Sequence, residues 1–150
     1  MPVIDTAKFG RVQYNDTDII TFVRAILGFE ELRKYFLIAR PESEPFKWLQ
    51  SVEDPTICFV IIEPSILLNN YEVELSHHDI KQLHGSERLT DYKIFVIVTV
   101  PKGRPEQISV NLQGPLIVNV KNLKAIQMVL NNPEYDIRFS LFENQSSVAS

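Results

Sequence analysis

The stretch PFKWLQSVEDPTICFVIIEP, residues 45–64, predicts a β-hairpin that lies in the middle of a sheet. Two apolar runs, residues 46–49 and 57–62, flank a polar interval that is rich in turn formers and ends at Pro55. The second run is apolar at six successive positions and rich in β-branched residues, as in strands whose two faces both contact protein. We therefore expect this second strand to have a neighbour on each side.

The rest of the chain shows further short strand candidates separated by turn signals. Two stretches instead favour short helices: residues 29–33, which contain helix formers, and residues 76–83, which begin with a capping-box pattern. These elements predict a single, mainly β domain over residues 1–142, an antiparallel barrel or roll of short strands with one or two short helices. Residues 143–150 are too polar to pack, and we expect them to form a disordered tail. The other strand candidates are residues 3–9, 11–14, 19–23, 35–39, 71–75, 94–100, 108–112, 116–120 and 137–142.

The acidic residues are concentrated in the middle of the chain. Residues 41–79 contain eight Asp or Glu side chains and one Lys, whereas the segments on either side are slightly basic. Within this region residues 71–75 alternate apolar and acidic side chains, which predicts a strand with one wet, negatively charged face formed by Glu72 and Glu74. Such a face either keeps the protein in solution or attracts a basic protein partner.

The composition argues against nucleic-acid and membrane partners. A net charge of −4 does not suit a phosphate-binding surface, and no apolar segment is long enough to span a bilayer. The first residues lack the basic and apolar regions of a signal peptide, and a single cysteine, Cys58, cannot form an internal disulfide. We therefore expect a cytoplasmic protein that contacts neither nucleic acid nor membrane directly.

The motifs of common catalytic sites are missing. The chain has no P-loop, no dinucleotide-binding glycine pattern and no nucleophile elbow, and Cys58 lies within an apolar run that disfavours a reactive thiolate. The histidines at positions 77, 78 and 84 lack the i, i+4 spacing of zinc-binding helices. We expect a protein that is not an enzyme and that needs no metal and no cofactor.

Several polar and aromatic residues have two interpretations, one structural and one in partner binding. Phe46 and Trp48 are two residues apart and share a strand face, so they either pack in the core or form an aromatic hot spot for a partner. The residues 66–68 are either a loop folded onto the core or an exposed anchor. The two asparagines that flank the Gly-Pro turn at residues 114–115 either complete turns or contact a partner.

Three motifs in this order resemble the flagellar assembly factor FliW family. They are GFE at residues 28–30, WLQSVEDP at residues 48–55 and VNLQGPLIVN at residues 110–119, and the resemblance covers about residues 6–141. One departure is Gly114, where the family often has an alanine before the proline.

The resemblance implies a non-catalytic binding protein whose partners are flagellin and the translational regulator CsrA. In this family the free factor binds CsrA and relieves its repression of flagellin translation, whereas accumulated flagellin occupies the factor. A small-ligand-binding or enzymatic barrel is the alternative, and it would show a deep pocket with convergent polar groups. We predict that the residues that contact a partner are Phe29, Glu30, Phe46, Trp48, Gln50, Glu53, Asp54, Glu72, Glu74, Asn111 and Asn119.

Overall fold

The computed structural model describes residues 2–141, and the predicted tail at residues 143–150 lies outside this range. The described chain forms eleven strands, one α-helix and five short 3-10 turns. The strands are β1 (Val3–Thr6), β2 (Gly10–Gln13), β3 (Ile20–Arg24), β4 (Lys34–Ile38), β5 (Lys47–Ser51), β6 (Cys58–Ile62), β7 (Tyr92–Thr99), β8 (Ser109–Val110), β9 (Leu116–Asn119), β10 (Lys124–Gln127) and β11 (Phe139–Ser140), and the helix is α1 (His77–Gln82).

Seven of these strands close into a barrel, as the sequence predicts. The order around the barrel is β7, β6, β5, β4, β3, β10 and β9, and β9 pairs with β7 to close it. All pairings are antiparallel except the one between β3 and β10, which is parallel. A closed ring with an odd number of strands cannot be antiparallel throughout, so one parallel pairing is required. Outside the barrel β1 and β2 form a separate hairpin, and β8 and β11 extend the sheet from the end of β7.

The predicted central hairpin is confirmed. Strands β5 and β6 pair from Lys47 opposite Ile61 to Gln50 opposite Cys58, and they lie between β4 and β7. Strand β6 meets protein on both faces: Phe59 and Ile61 pack in the barrel interior, while Val60 and Ile62 pack in a second cluster outside it. This explains why the sequence of β6 is apolar at every position.

The barrel interior is filled by aromatic and aliphatic side chains. Tyr35 is fully buried there, with the ring of Phe22 at 5.3 Å in an edge-to-face arrangement and the ring of Phe59 at 6.1 Å. The other interior residues include Ile20, Ile26, Leu49, Ile61, Phe95, Leu116, Val118 and Ala125. In the described part of the chain two further apolar clusters cover the outer surface of the barrel, and apolar side chains of the long loops pack on them.

Two secondary-structure predictions are wrong. Residues 71–75 alternate between half-buried and exposed side chains as predicted, but they pair with no strand and cross the outer face of the barrel as an extended segment. Residues 29–33 form turns and not a helix, with Gly28 in the left-handed region at φ 88° and with Leu32 N donating to Phe29 O. Five residues between a glycine and a strand are too few for a stable helical segment.

The end of the chain is also less regular than predicted. Strand β11 contains only two residues, and Ile137, which we expected on a buried face, is 61% exposed. Of the apolar run at residues 66–68, Leu67 and Leu68 pack on the cluster outside β6, whereas Ile66 is 53% exposed. No helix within residues 2–141 is long and apolar enough to cross a membrane.

Helix α1 is short, but contacts at both of its ends and with strand β3 hold it in place. The predicted capping box is present: Ser76 accepts from Asp79 N at 3.0 Å, and Asp79 Oδ2 accepts from Ser76 N at 2.9 Å. The other carboxylate oxygen of Asp79 accepts from Arg24 of β3 at 2.8 Å, and the same guanidinium nitrogen also donates to Gln82. Leu83, which follows the helix, is fully buried against the barrel. The helix therefore joins the end of the preceding segment, residues 71–75, to strand β3.

Replacing Asp79 by asparagine is expected to destabilise the protein in a pH-dependent way. Burial raises the pKa of Asp79, but the hydrogen bonds from Arg24 and Ser76 outweigh it, so the pKa lies below its ordinary value. A lowered pKa in the folded state stabilises the protein above the unfolded value of about 4, and this stabilisation is lost as the pH falls through the folded value. Urea unfolding should show that Asp79→Asn costs about 1–2 kcal/mol at pH 7 and clearly less at pH 3. An equal cost at both pH values would contradict the role of the charge.

Candidate partner-binding surface

The extended segment at residues 71–75 carries the predicted acidic face. Val73 and Leu75 point towards the barrel and pack on the outer cluster that contains Leu83 and Tyr92, so Glu72 and Glu74 are exposed. The first residues of the segment are held in place by two tyrosines, Tyr71 and Tyr135. Tyr71 Oη donates to Leu112 O at 2.6 Å, its ring lies 4.6 Å from that of Tyr135, and Tyr135 Oη accepts from Glu72 N at 3.0 Å.

A groove runs between this segment and the outer face of β7 and β9. It has a volume of about 390 Å³, and its floor is formed by Tyr92, Ile94 and Ile117. Leu89 stands at its rim with 69% of its surface exposed. The groove continues towards α1 as a second depression of about 450 Å³ that is bordered by Glu87. We call these two connected depressions the acidic groove.

The charged side chains that line the acidic groove are carboxylates. Its lining contains Glu72, Glu74 and Glu87, one histidine, His77, and neither Lys nor Arg. Lys93 is exposed and lines, together with Glu63, a small adjoining depression that shares Tyr71, Tyr92 and Ile94 with the groove. An apolar floor with acidic walls is complementary to a surface that presents an apolar side chain between basic ones.

The floor of the acidic groove is held by buried polar contacts. Tyr92 Oη donates to Ser86 O at 2.6 Å, and burial raises the pKa of this phenol. Gly85 packs so closely on this contact that a Cβ would lie 2.0 Å from Tyr92 Oη. Asn119, predicted to contact a partner, is 2% exposed and donates to Leu83 O at 3.0 Å while accepting from Lys121 N. Asn119 therefore has a structural role beneath the groove, since it joins β9 to the end of the helical segment.

A further depression, distinct from the acidic groove, opens at one end of the barrel, and two of the predicted contact residues border it. Phe29 packs edge-to-face on Phe59 at 4.9 Å, and Asn111 Oδ1 accepts from Gln113 N at 3.0 Å. The side chain of Gln127 joins the loop that contains Leu27 to the loop that contains Gly114. It accepts from Leu27 N at 2.7 Å and donates to the carbonyl of Gly114 at 3.1 Å. We call this depression, which has a volume of about 340 Å³, the mouth groove.

The glycine at position 114 fits the close packing at the mouth groove. A Cβ at this position would lie 2.9 Å from the amide nitrogens of both Asn111 and Gln127. An alanine at this position would require both of these amides to shift.

The predicted aromatic pair does not form one exposed hot spot. Trp48 is half-buried under the loop between β1 and β2, with the ring of Phe9 at 5.0 Å and Lys8 Nζ at 5.5 Å from its own ring. Phe46 precedes β5 and packs instead on the outer cluster around Val96 and Val98. The two side chains thus contribute to different packing regions.

Three predicted residues organise the turn between β5 and β6. Gln50 is fully buried, and its amide nitrogen donates to the carbonyls of Ser51, Pro55 and Ile57 at 3.0–3.2 Å. Asp54 accepts from both the amide and the hydroxyl of Thr56. The contacts of the third residue, Glu53, tie this turn to the neighbouring loop.

Glu30 and Glu53 accept hydrogen bonds from backbone amides. Glu53 Oε1 accepts from Arg33 N at 2.6 Å and from Lys34 N at 2.9 Å, and these hydrogen bonds lower its pKa. Glu30 accepts from Gly28 N at 3.0 Å, which lowers its pKa in the same way. Arg33 Nε also donates to Glu30 O at 3.1 Å, so Arg33 joins the GFE and WLQSVEDP motifs in one network of turns.

The sequence did not single out three residues of the acidic groove: Leu89, Tyr92 and Ile94. Leu89 is a lone apolar residue in a polar interval, so no periodic pattern distinguishes it. Ile94 begins the predicted strand at residues 94–100, whereas Tyr92 precedes that range and is the first residue of β7; the path of residues 71–75 shows that both point outward. The groove joins segments about twenty residues apart in the sequence, which a local pattern does not reveal.

In the described part of the chain, neither the cysteine nor the three histidines have the surroundings of a reactive or metal-binding group. Burial raises the pKa of the half-buried Cys58 thiol to about 11. The side chains of His77, His78 and His84 are exposed. Within residues 2–141 no three His, Cys, Asp or Glu side chains are placed to hold a metal ion.

The chain matches known proteins along nearly all of its length. The family model described as FliW protein matches residues 3–141. The flagellar assembly factor FliW of Thermosipho africanus is 38% identical over 136 residues, which cover 91% of this chain and 93% of that protein, and that of Leptospira biflexa is 35% identical over 98% of this chain and 95% of its own. A crystal structure of the flagellar assembly factor FliW superposes with a TM-score of 0.84 at 33% identity and covers 94% of this chain and 97% of its own. This chain therefore belongs to the FliW family of flagellar assembly factors.

Proposed function

We propose that this protein is a non-catalytic cytoplasmic partner switch that binds flagellin and, when free of flagellin, binds and antagonises the translational regulator CsrA. The proposal rests on membership of the FliW family, whose relatives are named as flagellar assembly factors, and on the functions that the resemblance implies. The observation that carries it is the acidic groove, since a protein that antagonises an RNA-binding regulator needs a surface complementary to basic groups.

The acidic groove suits such a role physically. Glu72 and Glu74 are exposed on a segment that Tyr71 and helix α1 hold at its two ends, so their position changes little on binding. A carboxylate at the rim speeds the encounter with a basic partner and sets its orientation, and the apolar floor contributes affinity once water is excluded. CsrA that is held by this surface would present its basic groups to carboxylates and no longer to RNA phosphates.

The switch requires only that the two partners weaken each other's binding. If flagellin lowers the affinity for CsrA by a given factor, CsrA must lower the affinity for flagellin by the same factor. The cause is either a shared surface or a change of shape. The switch therefore requires no covalent bond to be formed or broken in either partner.

The structure gives less support to the alternative, a small-ligand or catalytic site inside the barrel. Its interior is packed with side chains such as Tyr35, Phe22 and Leu49, and the described depressions lie on the surface or at the barrel end. The one cysteine is half-buried with a raised pKa, the opposite of an activated thiol. We therefore place binding at the surface grooves.

Calorimetric titrations with the two partners test the proposed switch. The protein should bind flagellin of its own organism, and the apparent affinity should fall at least about tenfold, which is about 1.4 kcal/mol, when CsrA is present at saturation. The reverse titration should show the same factor. An unchanged affinity for flagellin in saturating CsrA would refute the switch, and binding of neither partner would refute the proposed function as a whole.

A further inference from the structure

The mouth groove is bordered by exposed apolar side chains that contribute little to the packing of the barrel. Leu27, Val129 and Ile137 are 63%, 62% and 61% exposed, although they come from three separate segments of the chain. Single exposed apolar residues are common on protein surfaces, but three that surround one depression are a feature of interaction sites. Beneath them Phe29 and Phe59 form an apolar floor.

The mouth groove differs from the acidic groove in charge. Its lining contains no charged side chain, and it shares no lining residue with the acidic groove. Towards β8 and β11 it is continuous with a wider depression that contains one acidic residue, Glu106, and one basic residue, Arg138. The mouth groove therefore favours an occupant without net charge, since a charged side chain placed there would lose hydration and find no counter-charge.

Two amide side chains at the mouth groove have unused hydrogen-bonding groups. Asn111 accepts through Oδ1 from Gln113 N, and its Nδ2 donates to no group among the described residues. Gln113 donates through Nε2 to Asn132 O at 3.3 Å, and its Oε1 accepts from no group in residues 2–141. A donor and an acceptor of amide type at the edge of an apolar depression complement the C=O and NH₂ groups of an uncharged side-chain amide, such as that of glutamine, on a partner segment.

The two grooves lie at opposite ends and on opposite faces of β7. Tyr92 and Ile94 point outward and form the floor of the acidic groove, whereas Ile97 and Thr99 border the mouth groove. Because a strand rises about 3.3 Å per residue, the two pairs are roughly 16 Å apart along β7. An occupant of one groove thus leaves the other accessible.

From this neutral apolar lining and its two free amide groups, we propose that the mouth groove is a second docking surface, which binds an uncharged, apolar segment of a protein partner. This surface acts independently of the acidic groove and of the partners proposed above. It gives the protein two recognition chemistries, one for a basic surface and one for a neutral apolar segment.

Fluorescence anisotropy with two labelled synthetic peptides tests the proposal. Both peptides are amphipathic, about 18 residues long, and have a leucine face; the polar face is glutamine in one peptide and lysine in the other. The glutamine peptide should bind the full chain and lose about tenfold in affinity in the double variant Leu27→Ser, Ile137→Ser. The variant Leu89→Ser, which changes an equally exposed leucine in the acidic groove, should bind it unchanged.

The conservative variant Leu27→Met, Ile137→Val should restore binding, and thermal unfolding should show that every variant is folded. Several results would overturn the proposal: no binding of the glutamine peptide, equal binding by the double variant, or an equal loss in Leu89→Ser. Sedimentation provides a further test, because a concentration-dependent dimer that the double variant abolishes would assign the mouth groove to a second copy of this chain.

Discussion

Replacing both Glu72 and Glu74 by lysine is expected to weaken the binding of CsrA, or of any similarly basic partner, by about tenfold to a hundredfold at low salt. Both carboxylates are exposed on the rim of the acidic groove, and each replacement turns an attraction into a repulsion. Calorimetric titrations at about 50 mM and about 500 mM salt measure the effect, which should shrink at the higher concentration because mobile ions screen exposed charges. The free energy of unfolding should change by less than about 0.5 kcal/mol.

A matched charge reversal elsewhere separates the groove from the overall charge. Glu31 and Glu42 are exposed and line neither part of the acidic groove, so Glu31→Lys, Glu42→Lys changes the net charge by the same amount at other places. This control should reduce the affinity for CsrA by a small factor only. If the control weakens binding as much as the groove variant does, the partner responds to net charge, and the acidic groove is not its site.

The sequence was most informative where a strand is buried on both faces. The apolar run of β6 requires contact on both sides, and the barrel provides this contact with the interior cluster on one face and the cluster around Val96 on the other. The turn between β5 and β6 was equally readable, because Pro55 and its polar neighbours have few alternatives to a turn. Closure of the barrel by a parallel pairing of β3 and β10 was not readable, since those strands are about a hundred residues apart in the sequence.

The segment at residues 71–75 shows the limit of periodicity. Alternation of apolar and acidic residues correctly indicated one buried and one exposed face, but it does not indicate whether a neighbouring strand is present. Here the buried face packs on side chains of the barrel, and the backbone is held at its ends by Tyr71 and by the capping box of α1. The capping box was predictable because it depends on residues three apart.

The predicted contact residues fall into two groups: some are hydrogen-bonded to the backbone of nearby loops, and others are exposed at a groove. Gln50, Glu53 and Asn119 lie in motifs that carry the family resemblance, and the structure gives them backbone partners in turns and caps. Those motifs therefore determine the loops that shape the barrel. Glu72 and Glu74, which the alternation of apolar and acidic residues placed on one exposed face, line the acidic groove.

Truncation of Tyr35 to alanine is expected to destabilise the protein by about 3–5 kcal/mol, the largest effect of any single change proposed here. Its ring is fully buried in the barrel interior and contacts Phe22 and Phe59, so alanine would leave a cavity between two aromatic rings. Strands β3 and β6 would lose their ring contacts with β4, the strand that carries Tyr35. Urea unfolding followed by circular dichroism measures the loss.

The variant Tyr35→Phe is the matched control, and it should be as stable as the natural protein or more stable by up to about 1 kcal/mol. The buried hydroxyl of Tyr35 has no hydrogen-bond partner among residues 2–141, and burial raises its pKa to about 12, so the folded protein carries an uncompensated polar group. Removing that oxygen keeps the ring and its packing. A clear loss of stability in Tyr35→Phe would show that the hydroxyl is hydrogen-bonded in the folded protein, and the cost of Tyr35→Ala would then combine a cavity with a broken hydrogen bond.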